Sequence, residues 1–202
     1  MRIDPDNPGI YNMHELGASL IVPRPVAWIS TVGSDGSFNA APFSAFARVS
    51  SHPFIVAVSI ARRKGEQKDT MKNIELVGDF VINVVNDDLA GAMNTTAADY
   101  PYGVDEIKKV GLTAAASEKV SSPRIHEAPA SFECKVDRII ELGRQPGRGN
   151  SLVLAEVVLI HVKDDLVKDG VVRPEDLRPL GRLGGNLYCH INDIFEMKRL
   201  FK

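Results

Sequence analysis

Residues 38–53 read FNAAPFSAFARVSSHP. They join two apolar, strand-like runs, 26–32 (VAWISTV) and 54–60 (FIVAVSI). A connection of this length is normally built from polar turn residues. This one carries Arg48 as its only Asp, Glu, Lys or Arg, has no glycine, and is rich in alanine, serine and phenylalanine. The low bulk at Ser44, Ala45, Ala47 and Ser50 would let a flat ligand approach the backbone and use its N–H and C=O groups. Asn39 and Ser44 would add side-chain bonds. The same composition also suits an irregular crossover in which Phe43 and Phe46 are simply core, and the residues alone leave both readings open.

Working outward, further β-branched, apolar runs of strand length lie at 80–85, 132–140 and 152–162, each bounded by turn residues. The last, LVLAEVVLIHV from 152, is apolar enough to predict a central strand buried on both faces or on most of one. Gly33-Ser34-Asp35-Gly36 predicts a turn after the 26–32 run. Helix signals are fewer. Asp69 to Val77 opens on a capping residue and ends before Gly78; 87–94, 105–110 and 191–200 are shorter candidates. Many strands and few helices, without regular alternation, predict a mainly β protein built as a closed or half-closed antiparallel barrel. No GxGxxG or Walker A pattern is present, and Gly147-Arg148-Gly149 reads as a hairpin turn.

The 202 residues are 44% hydrophobic and 25% charged, with a net charge of −2. That composition belongs to a globular protein with a real core. The absence of a basic excess argues against nucleic acid, and no apolar run is long enough to span a bilayer. The N-terminus lacks the basic-then-apolar pattern of a secretion signal. Cys134 and Cys189 form no CxxC pair and are expected to be reduced. A cytoplasmic location follows as the expectation. His14, His52, His126, His161 and His190 show no zinc-ligand spacing, so no metal is expected. No GxSxG elbow exists, and no residue is assigned as a covalent catalyst.

Two local patterns suggest binding. Lys68-Asp69-Thr70 opens a predicted helix, where unpaired N–H groups, a cation and a hydroxyl together suit a phosphate. An ordinary capped surface helix is the competing reading. Arg182-Leu183-Gly184-Gly185-Asn186-Leu187-Tyr188 suits a loop folded over a ligand, or a plain C-terminal turn.

Taken in order, Arg24-Pro25-Val26-Ala27-Trp28-Ile29-Ser30-Thr31, Asn39-Ala40-Ala41-Pro42-Phe43-Ser44, Ser50 to Pro53, Ser59, Lys68-Asp69-Thr70 with Asn73, and Phe80-Val81-Ile82-Asn83-Val84 resemble the flavin reductase-like family of FMN-binding split barrels. Arg182-Leu183-Gly184-Gly185 and Tyr188 resemble its flavoredoxin-like branch. The resemblance implies a single domain over 1–202, a split antiparallel barrel with a C-terminal extension from about residue 163. It implies FMN as cofactor, held by Arg24, Pro25, Ser30, Asn39, Ala41, Pro42, Phe43, Ser44, Ser59, Lys68, Asp69, Thr70, Asn73, Arg182, Gly185 and Tyr188. In that arrangement residues 39–46 follow the isoalloxazine and ribityl chain, and Lys68-Asp69-Thr70 takes the phosphate. It further implies a homodimer, with Arg182, Gly185 and Tyr188 near the flavin from one subunit or the other.

The activity implied is that of an NAD(P)H:flavin reductase. NADH or NADPH would give a hydride to flavin N5, with electrons passed onward, as to a monooxygenase or an electron-transfer protein. The flavin carries the chemistry, so no side-chain acid or base is assigned. One feature departs from the family. Many members carry Gly-Asp-His before the last long strand, near the nicotinamide, where this chain reads Gly147-Arg148-Gly149-Asn150-Ser151. Either His126 or His190 replaces that contact, or the donor is not a nicotinamide. The alternatives are a flavoredoxin-like carrier reduced by a protein partner and a non-catalytic FMN-binding module.

Overall fold

The run at 38–53 is two edge strands joined at a corner. In the computed structural model, which describes residues 1–145, 148–198 and 200, β1 (Ala27–Val32) pairs antiparallel with β2 (Phe38–Phe43). Two residues later the chain enters β3 (Phe46–Ser51), which pairs antiparallel with β4 (Phe54–Ile60). With β5 (Asp79–Val84), β6 (Ala130–Glu141) and β7 (Ser151–Val162), these form one seven-stranded sheet in the order β2-β1-β5-β6-β7-β4-β3. The two edges of the sheet are therefore consecutive in the chain, separated only by Ser44 and Ala45. The Ser59 N–H on β4 donates to the Ala45 carbonyl at 2.8 Å and fixes that corner. The sheet curls on itself without its edge strands pairing, which is a split antiparallel barrel. Pro42 sits in an edge strand, where its missing N–H is tolerated.

The turn expected between β1 and β2 forms. Gly36 N–H donates to Gly33 C=O at 3.0 Å, with Gly36 at φ +79°, a conformation that favours glycine. β1 is buried on both faces: Ala27 and Ile29 pack into the barrel core with Phe43, Val58, Phe80 and Ile82, while Trp28 packs outward with Ala40, Met93 and Ile107. β7 meets the expectation of a central buried strand only in its first half. Its first half pairs with both β4 and β6, and Val153 and Ala155 are buried there. Beyond Glu156 it pairs with β6 alone, so Ile160 is left 43% exposed.

The helices α1 (Met13–Leu20), α2 (Asp69–Val77), α3 (Ala90–Thr95) and α4 (Glu106–Lys109) flank the barrel. α2 covers the predicted range, but its N-cap is Lys68 and the expected cap Asp69 is its first helical residue; it buries Thr70, Met71, Asn73 and Ile74 and ends at Gly78 in the left-handed conformation (φ +78°). α1 has no strong sequence signal, since none of its residues is buried. The helix expected over 191–200 does not form among its described residues; Phe195 and Met197 are exposed, with no face to bury against. Instead Leu180–Arg182 pairs with both Arg24–Pro25 and Tyr188–His190 in a small separate sheet. Of the predicted hairpin turn, Gly147 lies outside the described residues. No described helix is long and apolar enough to cross a membrane.

Candidate functional site

A cavity of about 300 Å³ opens between edge strand β2 and the start of α2. Its floor includes Asn39, Ala41 and Pro42, its rim Lys68, Asp69 and Thr70, and its far wall Tyr100, Tyr102 and Glu106. The start of α2 carries groups that could take an anion. The N-cap residue Lys68 is extended, its side chain makes no cap bond, and its carbonyl takes the N–H groups of Met71 and Lys72. The N–H groups of Asp69 and Thr70 meet no acceptor among the described residues. They add to the positive end of the helix dipole.

Three cations line the cavity, and two are already paired. Arg63 forms an ion pair with Asp99, and Lys72 with Asp69 at 3.1 Å. Among the described residues no carboxylate pairs with Lys68, whose Nζ stands over the Phe43 ring, 5.2 Å from its centre. Burial, reinforced by the positive charge of Arg63, lowers the Lys68 pKa below the usual lysine value. An anion seated at the head of α2 would supply the missing partner.

Beneath the cavity runs a chain of hydrogen bonds. Tyr102 Oη donates to Asn73 Oδ1 (3.1 Å), Asn73 Nδ2 to Thr31 Oγ1 (3.0 Å), and Thr31 Oγ1 to Asn39 Oδ1 (3.3 Å). Thr70 Oγ1 also donates to Asn39 Oδ1, at 2.8 Å. Asn39 Nδ2 donates to Glu106 Oε1, and the Ala40 N–H to Glu106 Oε2, both at 3.2 Å. Glu106 is only 6% exposed. Burial raises its pKa; the N–H bonds it accepts work against that, and the charge of Asp69 adds to it.

These residues fit a phosphorylated flavin. The free N–H groups and unpaired lysine suit its phosphate, and the small residues of β2 leave its backbone approachable. Residues 19–181 match the model of the flavin reductase like domain. The chain belongs to that family. Nitrilotriacetate monooxygenase component B from Bacillus cereus superposes with a TM-score of 0.94 at 34% identity, covering 98% of each chain. The 2-nitrobenzoate 2-nitroreductase of Pseudomonas fluorescens gives 0.87 at 29% identity, over 98% of this chain and 96% of its own. The flavoredoxin of Desulfovibrio vulgaris shares the fold at 20% identity, with a TM-score of 0.77 over 88% of this chain and 91% of its own.

In this flavin reductase-like chain, six of the residues named from sequence meet in the cavity: Asn39, Ala41, Pro42, Lys68, Asp69 and Thr70. Phe43 lies under Lys68, and Asn73 is one layer back, in the hydrogen-bond chain. The others stand elsewhere. Ser30 is fully buried and donates its hydroxyl proton to the Pro123 carbonyl, so it is spent in the core. Arg24 is a clamp: its guanidinium donates to the carbonyls of Ala18, Ile21 (2.7 Å) and Leu183 (2.8 Å) and to Ser44 Oγ (3.4 Å). Pro25 pairs opposite Gly181. Ser59 holds the barrel corner through its N–H, and its hydroxyl accepts from Asn150.

A second hollow of about 630 Å³ is lined by Arg182, Tyr188 and His190 together with Met93 and Asn94 of α3. Arg182 stacks over the Tyr188 ring at 4.4 Å and donates to the Tyr188 hydroxyl and the Gly185 carbonyl. His190 Nδ1 lies 2.8 Å from Asp87 Oδ1. The residues that follow α3, Thr96 to Ala98, line the first cavity, while α3 itself lines the second. His126 lines a third hollow, with His161 and Lys163, and is not brought to the first cavity. Glu106 and Tyr102 escaped the sequence reading. Each is an isolated polar residue, given its place only by tertiary packing.

Proposed function

We propose that this protein is a flavin-dependent oxidoreductase that binds FMN in the cavity between β2 and α2. The observation that carries this reading is Lys68: a half-buried cation, unpaired among the described residues, beside two free N–H groups at a helix start. Lys68 and the Asp69 and Thr70 N–H groups would hold the phosphate. Asn39 to Ser44 would run beside the polyol and ring system, where the small side chains of Ala41 and Ser44 permit close approach. A bound flavin supplies reversible one- and two-electron chemistry at its isoalloxazine. The chain's part is to orient it, to exclude water on the β2 side, and to offer the hollow at Arg182, Tyr188 and His190 to the electron donor or acceptor.

NADH or NADPH is the proposed donor. The similarity to a monooxygenase component B and to a nitroreductase supports delivery of the electrons to a monooxygenase partner or to a reducible small molecule. A homodimer is proposed as well, supported by the exposed apolar side chains of Ile10, Leu20, Ile21 and Leu187. One observation favours the second reading, a carrier reduced by a protein partner. No histidine is among the residues lining the first cavity, and the chain lacks the Gly-Asp-His of many family reductases.

The deciding experiment is the absorbance spectrum of the purified protein, loaded with FMN, before and after adding NADH or NADPH without air. Bleaching of the flavin bands establishes a nicotinamide-driven reductase. Bands that persist with both nicotinamides but bleach with dithionite overturn the nicotinamide-driven reductase and leave the carrier. Failure to take up FMN overturns both.

A further inference from the structure

The hydrogen-bond chain beneath the cavity has one direction. Every donor points from Tyr102 towards Glu106, through Asn73, Thr31 and Asn39, and Thr70 joins it at Asn39. An ionised carboxylate can only accept, so Glu106 requires that Asn39 face it with Nδ2. The Asn39 oxygen must then face Thr31 and Thr70, whose hydroxyl protons are committed to it. The Thr31 oxygen accepts from Asn73 Nδ2, which leaves Asn73 Oδ1 to take the Tyr102 proton. Thr70 and Tyr102 both line the cavity, and their hydroxyl oxygens are thereby left with lone pairs and no proton to offer.

We propose that Glu106 is a positioning residue that sets this polarity, so that Thr70 and Tyr102 act as acceptors for hydroxyl groups of a polyol-bearing ligand while the anion sits apart, on Lys68 and the helix N–H groups. The inference rests on the flavin reading, because the ligand it describes joins a polyol to a phosphate. The cavity separates these two chemistries. Lys68 Nζ and the first N–H groups of α2 offer donors at one place in it, and the two hydroxyl oxygens offer lone pairs at another. A ligand hydroxyl would donate to either oxygen without disturbing the chain, whereas an anion there would meet lone pairs.

Glu106→Gln tests this, because it keeps shape and reverses polarity. The Ala40 N–H is a backbone donor and cannot turn, so it keeps the glutamine oxygen. The glutamine nitrogen then faces Asn39, which must flip, present Nδ2 to Thr70 and Thr31, and turn the Thr70 proton out into the cavity. Three measurements read the result. In the wild type, the Ala40 amide and Asn39 side-chain NMR signals shift together through one acid titration, with a midpoint above the usual glutamate value, as burial and the charge of Asp69 raise it. In Glu106→Gln that titration is absent. FMN affinity, from flavin fluorescence, falls about tenfold in the variant, while inorganic phosphate still competes within about twofold of its wild-type constant.

FMN affinity unchanged in a folded Glu106→Gln protein would overturn the proposal. So would a loss of phosphate competition in step with the loss of FMN, since that marks general damage to the cavity. The NMR titration needs neither variant nor flavin. Signals of Ala40 and Asn39 that do not titrate together refute the role of Glu106 even if FMN binds. A wild-type protein that takes up no FMN while those signals titrate refutes the flavin reading instead.

Discussion

Lys68 Nζ lies 5.2 Å from the centre of the Phe43 ring, so the cation at the head of α2 rests on an aromatic face from the end of β2. Such a contact holds a lysine in place without neutralising it, and leaves its donors for an anion. Replacing Lys68 by Met should therefore weaken FMN by about 1.5–3 kcal/mol, the worth of a charge-assisted hydrogen bond. The same variant should fold at least as well as the wild type, because burial penalises the charged lysine. The sign of the pH effect follows. Below its lowered pKa, Lys68 is charged, the folded state bears that penalty and an anion is bound; as pH rises through that value the charge and the affinity are lost together. Isothermal titration of FMN from pH 7 upward checks it. Parallel pH curves for wild type and Lys68→Met would sink the assignment.

Arg24 was named from the sequence as a flavin contact, and its observed bonds predict a structural effect whatever the ligand. One guanidinium ties the end of α1, Leu183 and the Ser44 corner together. Arg24→Ala should destabilise the protein by about 1.5–3 kcal/mol, and Arg24→Lys should recover little, since an ammonium cannot span the same fork. Urea unfolding of ligand-free protein measures both. Full rescue by lysine would show that the charge alone matters.

Glu133 predicts an acid-sensitive latch on the segment before β6. Its side chain is fully buried and accepts from the N–H groups of Glu118 (2.9 Å) and Lys119 (2.6 Å), with His161 Nε2 at 2.6 Å. Burial alone would raise its pKa; the bonds from Glu118, His161 and Lys119 outweigh it and hold the carboxyl below the usual glutamate value. Its contribution to stability is therefore full above the unfolded value of about 4.3 and is lost as pH falls through the folded one. Glu133→Gln should cost about 1–3 kcal/mol at pH 7, from donors left without a partner. The gap between variant and wild type in urea should close below pH 4. A gap that stays constant with pH would show that shape, not charge, holds the latch.

How much of this was legible in the sequence depends on how far each signal is local. β4 and α2 were read to the residue, because each is bounded by its own punctuation, Pro53 before one and Gly78 after the other. Lys68-Asp69-Thr70 was legible as a candidate anion end for the same reason: it is contiguous and its chemistry belongs to a helix start. For the run at 38–53 the residues alone left a ligand-facing segment and a packed crossover both open, and only the resemblance chose between them. That it forms both edges of one sheet depends on Ser59 meeting Ala45, a pairing no local pattern carries. Ser30 was named only through the resemblance, and burial of β1 on both faces commits its hydroxyl to the core. Glu106 was invisible, since in sequence it is one charge beside Lys108 and Lys109 at a short helix, and only its packing against Asn39 and Ala40 gives it a role.

Trp28 supplies the last prediction. It is the single tryptophan of the chain, is fully buried in β1, and donates its indole N–H to Thr96 Oγ1 at 2.9 Å. Thr96 in turn lines the cavity between β2 and α2 and passes its own proton to the Met93 carbonyl at 2.7 Å. One hydroxyl thus links the core tryptophan to the cavity wall. Thr96→Val keeps the shape of the residue but leaves the indole N–H without an acceptor in an apolar setting. That should destabilise the protein by about 1–3 kcal/mol. Thr96→Ser, which retains the hydroxyl, should recover most of it. The same geometry makes Trp28 a reporter, because flavin bound a few residues away accepts its excitation energy. FMN should quench Trp28 emission saturably in wild type and in Thr96→Ser, with a midpoint matching that from flavin fluorescence. Emission that stays constant while FMN demonstrably binds would place the flavin outside this cavity.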